Sequence, residues 1–403
     1  MELLAQRIHN LSESETLAMT RRSRELAAQG IDVINLSIGE PDFNTPEHIK
    51  EAAIRAIHEN KTHYPPVPGY PELRKAICQK LKRDNDLDFN PEQIVVSTGA
   101  KHSIANVVIS LVNAGEEVVL PAPYWVSYKE MVKLARGVAV VVPTTVDTEF
   151  KITPEQLEKA ITPKTKVLLY SSPCNPTGSV YSREELRALA EVVVRHPHVI
   201  IISDEIYELI NFDCYHESIA QFDFIRDQVV LVNGVSKGFA MTGWRLGYLA
   251  APLWIAKACD KLQGQMTSAT SSISQYAALE AMMTDPATSL EIRDMVFTFR
   301  KRRNKMLELL QTIPGMISHV PKGAFYFFPD VTHYYGKSYN GHTIMNATDL
   351  ANYLLEVAHV ALVPGDAFGN PACIRISYAT SMEKLTEAME RIKNALADLQ
   401  PVP

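Results

Sequence analysis

Cysteine is scarce in this chain. Five occur in 403 residues, at Cys78, Cys174, Cys214, Cys259 and Cys373. The number is odd, the spacing is irregular and no Cys-x-x-Cys occurs, which argues against a disulfide framework and a thiolate zinc site. Long apolar runs are missing too: no stretch reaches the ~18–20 residues that a membrane span requires. The opening Met1-Glu2-Leu3-Leu4-Ala5-Gln6-Arg7 holds no apolar signal core. Positive charge is not in excess. At a net charge of -6, neither nucleic acid nor an anionic membrane has an electrostatic reason to bind. One basic run, Arg300-Lys301-Arg302-Arg303-Asn304-Lys305, lies inside a long helical pattern and reads as a solvated helix face. A reduced, soluble, cytoplasmic protein is the expectation.

What is present is globular. The hydrophobic fraction is 46% and the charged fraction 21%, ordinary values for a packed protein. The length exceeds the ~250–300 residues at which single cores split, so two domains are expected. The middle of the chain alternates helical patterns with short β-branched runs at 94–97, 117–120, 138–142, 166–170, 198–203, 228–233 and 246–250. These runs are almost continuously apolar, which suits strands buried on both faces of a mostly parallel sheet. Thr45-Pro46, Thr153-Pro154 and the capping box Ser182 to Glu185 read as helix starts. After about residue 290 the pattern changes to a long helix, strands at 324–328 and 373–377, and a final helix from Ser381. The expected division is a large α/β domain over 46–289. A smaller α+β domain would combine 1–45 with 290–403.

Several polar clusters fall where strands end, which is where open α/β sheets bind ligands. Ser97-Thr98-Gly99-Ala100-Lys101 follows the first run, and its small residues let a helix N-terminus approach an anion. The Asn175-Pro176 turn follows the fourth run. Asp204 ends the fifth, where a partly desolvated carboxylate seeks a cation; a helix cap is the alternative there. Gly234-Val235-Ser236-Lys237-Gly238 follows the sixth and is a literal Gly-x-Ser-x-Gly, so a hydrolase elbow has to be weighed. Gly238, Thr242 and Gly243 weaken the helix that motif needs. Lys237 with Arg245 suits another chemistry better: the amine can condense with an aldehyde, and the guanidinium can pair with a phosphate.

Together, from Gly39-Glu40-Pro41-Asp42 to Arg375-Ile376-Ser377-Tyr378, these pieces resemble the fold type I pyridoxal-phosphate (PLP) aminotransferases of class I. The subgroup resembled contains many bacterial aspartate aminotransferases. The resemblance implies a seven-stranded PLP-binding sheet and a smaller domain. It implies that Lys237 carries the cofactor and shuttles a proton, that Asp204 pairs with the pyridine nitrogen, and that Asn175 and Tyr207 serve its phenolic oxygen. Trp125 would stack on the ring. The backbone of Gly99, Ala100 and Lys101, with Ser236 and Arg245, would hold the phosphate, with Tyr64 reaching it from the other subunit of a homodimer. Arg375 would clamp the substrate α-carboxylate beside Gly39, and Lys101 with Thr16 would receive the second carboxylate of a dicarboxylic substrate. The acceptor would be 2-oxoglutarate or oxaloacetate, and some members of the subgroup also use prephenate. Gly234 departs from the pattern, since many relatives have serine or threonine there. A PLP lyase of the same fold, or a transaminase preferring aromatic amino acids or alanine, would keep the same cofactor residues. A PLP-sensing regulator would need a DNA-binding domain ahead of Gly39.

Overall fold

The structure, a computed structural model, describes residues 3–13, 15–212 and 215–401; Cys214 lies outside them. All seven apolar runs become strands of one sheet. They are β1 (Ile94–Ser97), β2 (Glu117–Ala122), β3 (Val138–Pro143), β4 (Thr165–Ser171), β5 (Ile200–Asp204), β6 (Val229–Gly234) and β7 (Gly247–Ala250). Their spatial order is β1-β7-β6-β5-β4-β2-β3. β7 alone runs against its neighbours, pairing antiparallel with both β1 and β6.

The continuous apolar character has a physical cause in the packing. Val95, Val167, Ile200, Ile202 and Val230 join one hydrophobic cluster, while Val96, Leu168, Ile201 and Leu231 join another. Alternate residues thus face two separate cores, and polar positions have no face to occupy. Each buried valine, leucine or isoleucine contributes about 1.5–3 kcal/mol. Only the edge strand β3 leaves Val138 and Val141 exposed.

A third cluster gathers Leu36, Phe299, Met306, Phe325, Leu350, Ile374 and Ile392. It is built from α-helices Leu290–Leu310, Ala347–Val357 and Met382–Ala397 with strands Tyr326–Phe327, Val360–Ala361 and Ile374–Ser377. Ile34 and Asn35 pair in parallel with Val360 and Ala361, tying the N-terminal part to the C-terminal one.

Two helix starts hold and one does not. Thr153 and Ser182 cap their helices through complete capping boxes. Thr45 caps nothing: its hydroxyl donates to the Ala240 carbonyl at 2.9 Å and accepts from the Trp244 indole. The basic run also differs from its solvated reading. Arg302 and Arg303 are buried; Arg302 grips Asp42 with two bonds of 2.6 and 2.7 Å, and Arg303 donates to the Pro321 carbonyl. A carboxylate far away in sequence turns what looked like a surface charge into an internal clamp on the loop that follows Gly39. Among the described residues no helix is long and apolar enough to cross a membrane.

Candidate active site

The loops leaving the carboxyl ends of the sheet strands converge on a cavity of about 330 Å³. From β1 the chain turns at Gly99, with φ +85°, into helix Ala100–Leu111. A side chain at Gly99 would collide with the Arg245 guanidinium, so glycine is what lets that cation lie against the helix start. Arg245 arrives from the loop between β6 and β7. Its own φ is +53° and its Nη1 donates to the Thr242 carbonyl at 2.8 Å. Among the described residues it has no carboxylate partner, and Ser236 lines the same corner. A helix N-terminus, a hydroxyl and a guanidinium make an anion site of the kind phosphate occupies.

Gly234 is forced by the sheet. A Cβ there would lie 2.8 Å from both the Gly247 Cα and the Leu246 carbonyl oxygen, because β7 crosses closely beside β6. The Gly-x-Ser-x-Gly segment continues into turns and a short 3₁₀ segment, Thr242–Trp244, rather than a helix. No nucleophile elbow forms.

Lys237 extends into the cavity, where its Nζ donates to the Gly39 carbonyl at 2.7 Å. Burial pushes its pKa down to about 8; Glu40 opposes this, and the Arg245 and Arg375 charges reinforce it. Asp204, at the end of β5, is 4% exposed. Burial pushes its carboxyl up to about 6, against the Tyr128 hydroxyl, which donates to Oδ2 at 2.6 Å, and the Ile206 N–H, which bonds Oδ1. The helix-cap reading of Asp204 therefore accounts for one oxygen only, and no α-helix follows it.

Arg375, 1% exposed, is a cation without a counter-ion among the described residues. One Nη donates to Asn175 Oδ1 at 3.0 Å, the other to the Ser37 carbonyl at 2.5 Å, and Nε has no partner. The guanidinium lies over the Tyr326 and Phe368 rings, 4.7 and 5.1 Å from their centroids. Such a group is costly unless an anion completes it. Lys101 sits on the same cavity with its amine 5.0 Å from the Trp125 ring centroid. Lys101 is exposed as a residue, yet partial desolvation and the Arg245 charge still lower its pKa.

Of the residues singled out from sequence, Thr16, Gly39, Ala100, Lys101, Trp125, Asn175, Asp204, Tyr207, Ser236, Lys237, Arg245 and Arg375 line this one cavity. Gly99 backs it. Tyr64 does not join them; it is 96% exposed. Sequence reasoning missed Tyr128 and Tyr326. Tyr326 lies in an apolar run and Tyr128 on the buried face of helix Ser127–Leu134, and a buried phenol has to find a polar partner; that was the available signal.

These groups fit pyridoxal phosphate: an anion site, an amine with a lowered pKa, a buried carboxylate for a protonated ring nitrogen and an unpaired arginine for a carboxylate. Comparison with known proteins agrees. Residues 31–392 match the family described as aminotransferase class I and II. A bifunctional aspartate aminotransferase and glutamate/aspartate-prephenate aminotransferase from Petunia hybrida is 48% identical, covering 99% of this chain and 84% of its own length. An aspartate/prephenate aminotransferase from Cereibacter sphaeroides is 45% identical over 99% of this chain and 100% of its own. The crystal structure of the aspartate aminotransferase from Rhizobium meliloti superposes with a TM-score of 0.95 at 42% identity, covering 99% and 100% of the two chains. That from Thermus thermophilus with maleate gives 0.92 at 40% identity, covering 98% and 100%. The chain belongs to the class I and II aminotransferases, a family of PLP-dependent enzymes.

Proposed function

We propose that this enzyme moves the amino group of aspartate or glutamate to 2-oxoglutarate or oxaloacetate by a ping-pong mechanism, with prephenate as a further acceptor. The observation that carries the reading is the buried Arg375, which has no counter-ion among the described residues, sharing one cavity with Lys101, which has none among them either. Two cations facing one cavity suit a substrate with two carboxylates. The names of the relatives support the same choice.

When bound, PLP supplies a ring that withdraws the electrons left at the substrate Cα. The protein's own groups do the rest. Arg375 fixes the α-carboxylate beside Gly39, which orients the Cα–H bond. Lys237 would hold the cofactor and would act as the proton carrier at the substrate Cα; a pKa near 8 leaves neutral amine for this. Asp204 would keep the pyridine nitrogen protonated, and Asn175 and Tyr207 would bond the phenolic oxygen. Trp125, which lines the cavity, would stack on the ring. The backbone of Gly99, Ala100 and Lys101, with Ser236 and Arg245, would hold the phosphate, and Thr16 would assist the Lys101 side chain at the second carboxylate. A panel of amino donors against 2-oxoglutarate, oxaloacetate and prephenate tests the reading, and a clear preference for monocarboxylic pairs would overturn it.

Lys101→Ala should weaken aspartate, glutamate and prephenate together. A charge-assisted bond in a partly desolvated site contributes about 1.5–3 kcal/mol, roughly a 10- to 150-fold loss in kcat/KM. Alanine and phenylalanine should be nearly unaffected, since Arg375 still holds their one carboxylate. An equal loss for both groups would assign Lys101 to the phosphate or the fold.

The proposal includes a homodimer in which Tyr64 serves the partner's phosphate site, supported by its near-complete exposure away from the cavity. Mixing a weakened Tyr64→Ala chain with an inactive Lys237→Ala chain should restore activity in hybrids, where Lys237 and Lys101 of the first chain meet the partner's Tyr64 in one complete site. Proven hybrids without activity would rule out sharing. The division into 46–289 and 1–45 with 290–403 belongs to the proposal too, supported by the separate third cluster. So does a cytoplasmic location, which rests on the scattered cysteines.

A further inference from the structure

Tyr326 has no place in the roles above, yet its position is unusually constrained. Its hydroxyl lies 2.7 Å from the Tyr207 hydroxyl, and both residues are buried. Tyr207 lines the cavity; Tyr326 stands behind it. The strand carrying Tyr326 pairs with the strand carrying Arg375, with Tyr326 opposite Ser377. Phe325 packs against both phenols, 4.7 Å from Tyr326 and 5.5 Å from Tyr207 between ring centroids. A Cβ on Gly39 would come within 2.8 Å of the Tyr326 oxygen. One side chain therefore touches the support of Arg375, the Gly39 loop and Tyr207.

We propose that Tyr326 is a positioning residue that donates its hydroxyl hydrogen to Tyr207, so that the hydrogen of Tyr207 is directed into the cavity at the cofactor's phenolic oxygen. This rests on the functional reading above. A phenol has one hydrogen to give. Among the described residues the Tyr326 hydroxyl has no hydrogen-bond partner besides Tyr207. If Tyr207 gave its hydrogen to Tyr326, the Tyr326 hydrogen would be left buried against the Gly39 backbone without an acceptor, an arrangement that costs free energy. With Tyr326 as the donor, both hydrogens are used once an acceptor enters the cavity. Burial raises the pKa of both phenols, so each stays protonated and each has one hydrogen to place. Arg375, Asp204 and Lys237 are the charged groups facing the pair, and they stay in place when Tyr326 loses only its oxygen. Bonds in such a chain strengthen one another. The Tyr207 bond to the phenolic oxygen is therefore stronger with Tyr326 behind it.

The test is Tyr326→Phe, which keeps the ring under Arg375 and removes the hydroxyl. Titrating the visible absorbance of the protein-bound cofactor without substrate should place its midpoint about half to one pH unit higher than in the wild type, a three- to tenfold change in acidity. Maleate, a dicarboxylate that cannot be transaminated, should bind within twofold of wild type. In a Tyr207→Phe background, adding Tyr326→Phe should move the midpoint no further. An unshifted midpoint, an equal shift without Tyr207, or a tenfold loss of maleate affinity would each overturn the proposal. A wild-type protein whose bound cofactor shows no titrating band would instead overturn the functional reading itself.

Discussion

Lys237→Ala is expected to lower turnover by about four orders of magnitude or more, while the protein still binds the cofactor through its phosphate. The lysine does two jobs, as covalent carrier and as proton carrier, and general acid–base catalysis alone accounts for roughly 10²- to 10⁴-fold. Its pKa near 8 arises from burial and from two arginines. The neutral amine, the only reactive form, therefore becomes dominant as pH rises through about 8. Capture of PLP by the cofactor-free wild-type protein should accelerate over that same range and level off above it. In the wild type, borohydride treatment followed by peptide mapping should recover the pyridoxyl group on Lys237. Label on Lys101, the other lysine of the cavity, would reverse the assignment.

Asp204→Ala should cost about 10²- to 10⁴-fold in turnover and less than tenfold in cofactor affinity. Removing one partner of a buried charge pair costs about 3–5 kcal/mol, which sets the range. The loss falls on turnover because Asp204 acts on the ring electronically, and Arg245, Ser236 and the helix start at Ala100 hold the phosphate without it. Alone, Asp204 is pushed up to about 6 by burial, against the Tyr128 hydroxyl and the Ile206 N–H. A protonated ring nitrogen beside it stabilises the carboxylate and lowers that value. Asp204→Asn should fall with alanine, since it is neutral, and Asp204→Glu should recover part of the rate. Near-wild-type turnover in Asp204→Ala would reduce the residue to a partner of the Ile206 amide.

The sheet and most of the site were legible in the sequence for one reason. Strands buried on both faces write continuous apolar runs, and the polar residues that interrupt them mark the strand ends where ligands bind. Asp204, Asn175 and Lys237 were visible as interruptions. What stayed hidden depends on partners distant in sequence. Arg302 reads as surface charge until Asp42 is known to face it, and Thr45 reads as a cap until Ala240 is found beside it. Tyr128 and Tyr326 looked like core aromatics, because a phenol does not announce in which direction its hydroxyl points. The two-residue strand Tyr326–Phe327 came out shorter than its apolar run, since its length is set by the pairing with Ile376 and Ser377.

The single reversed strand has a consequence for how the enzyme comes into being. β7 enters the sheet between β1 and β6, and it brings with it the loop holding Ser236, Lys237 and Arg245. The Gly99 turn waits at the end of β1, far upstream in the chain. Until β7 has slotted between strands so distant in sequence, the two halves of the phosphate site are not neighbours, and contacts of this range form late because closing long loops is slow. During synthesis, everything up to β6 can emerge without any capacity to hold the cofactor. Cofactor capture thus reports on one joint of the sheet, and a chain that binds PLP has already completed the most non-local pairing of the seven-stranded sheet.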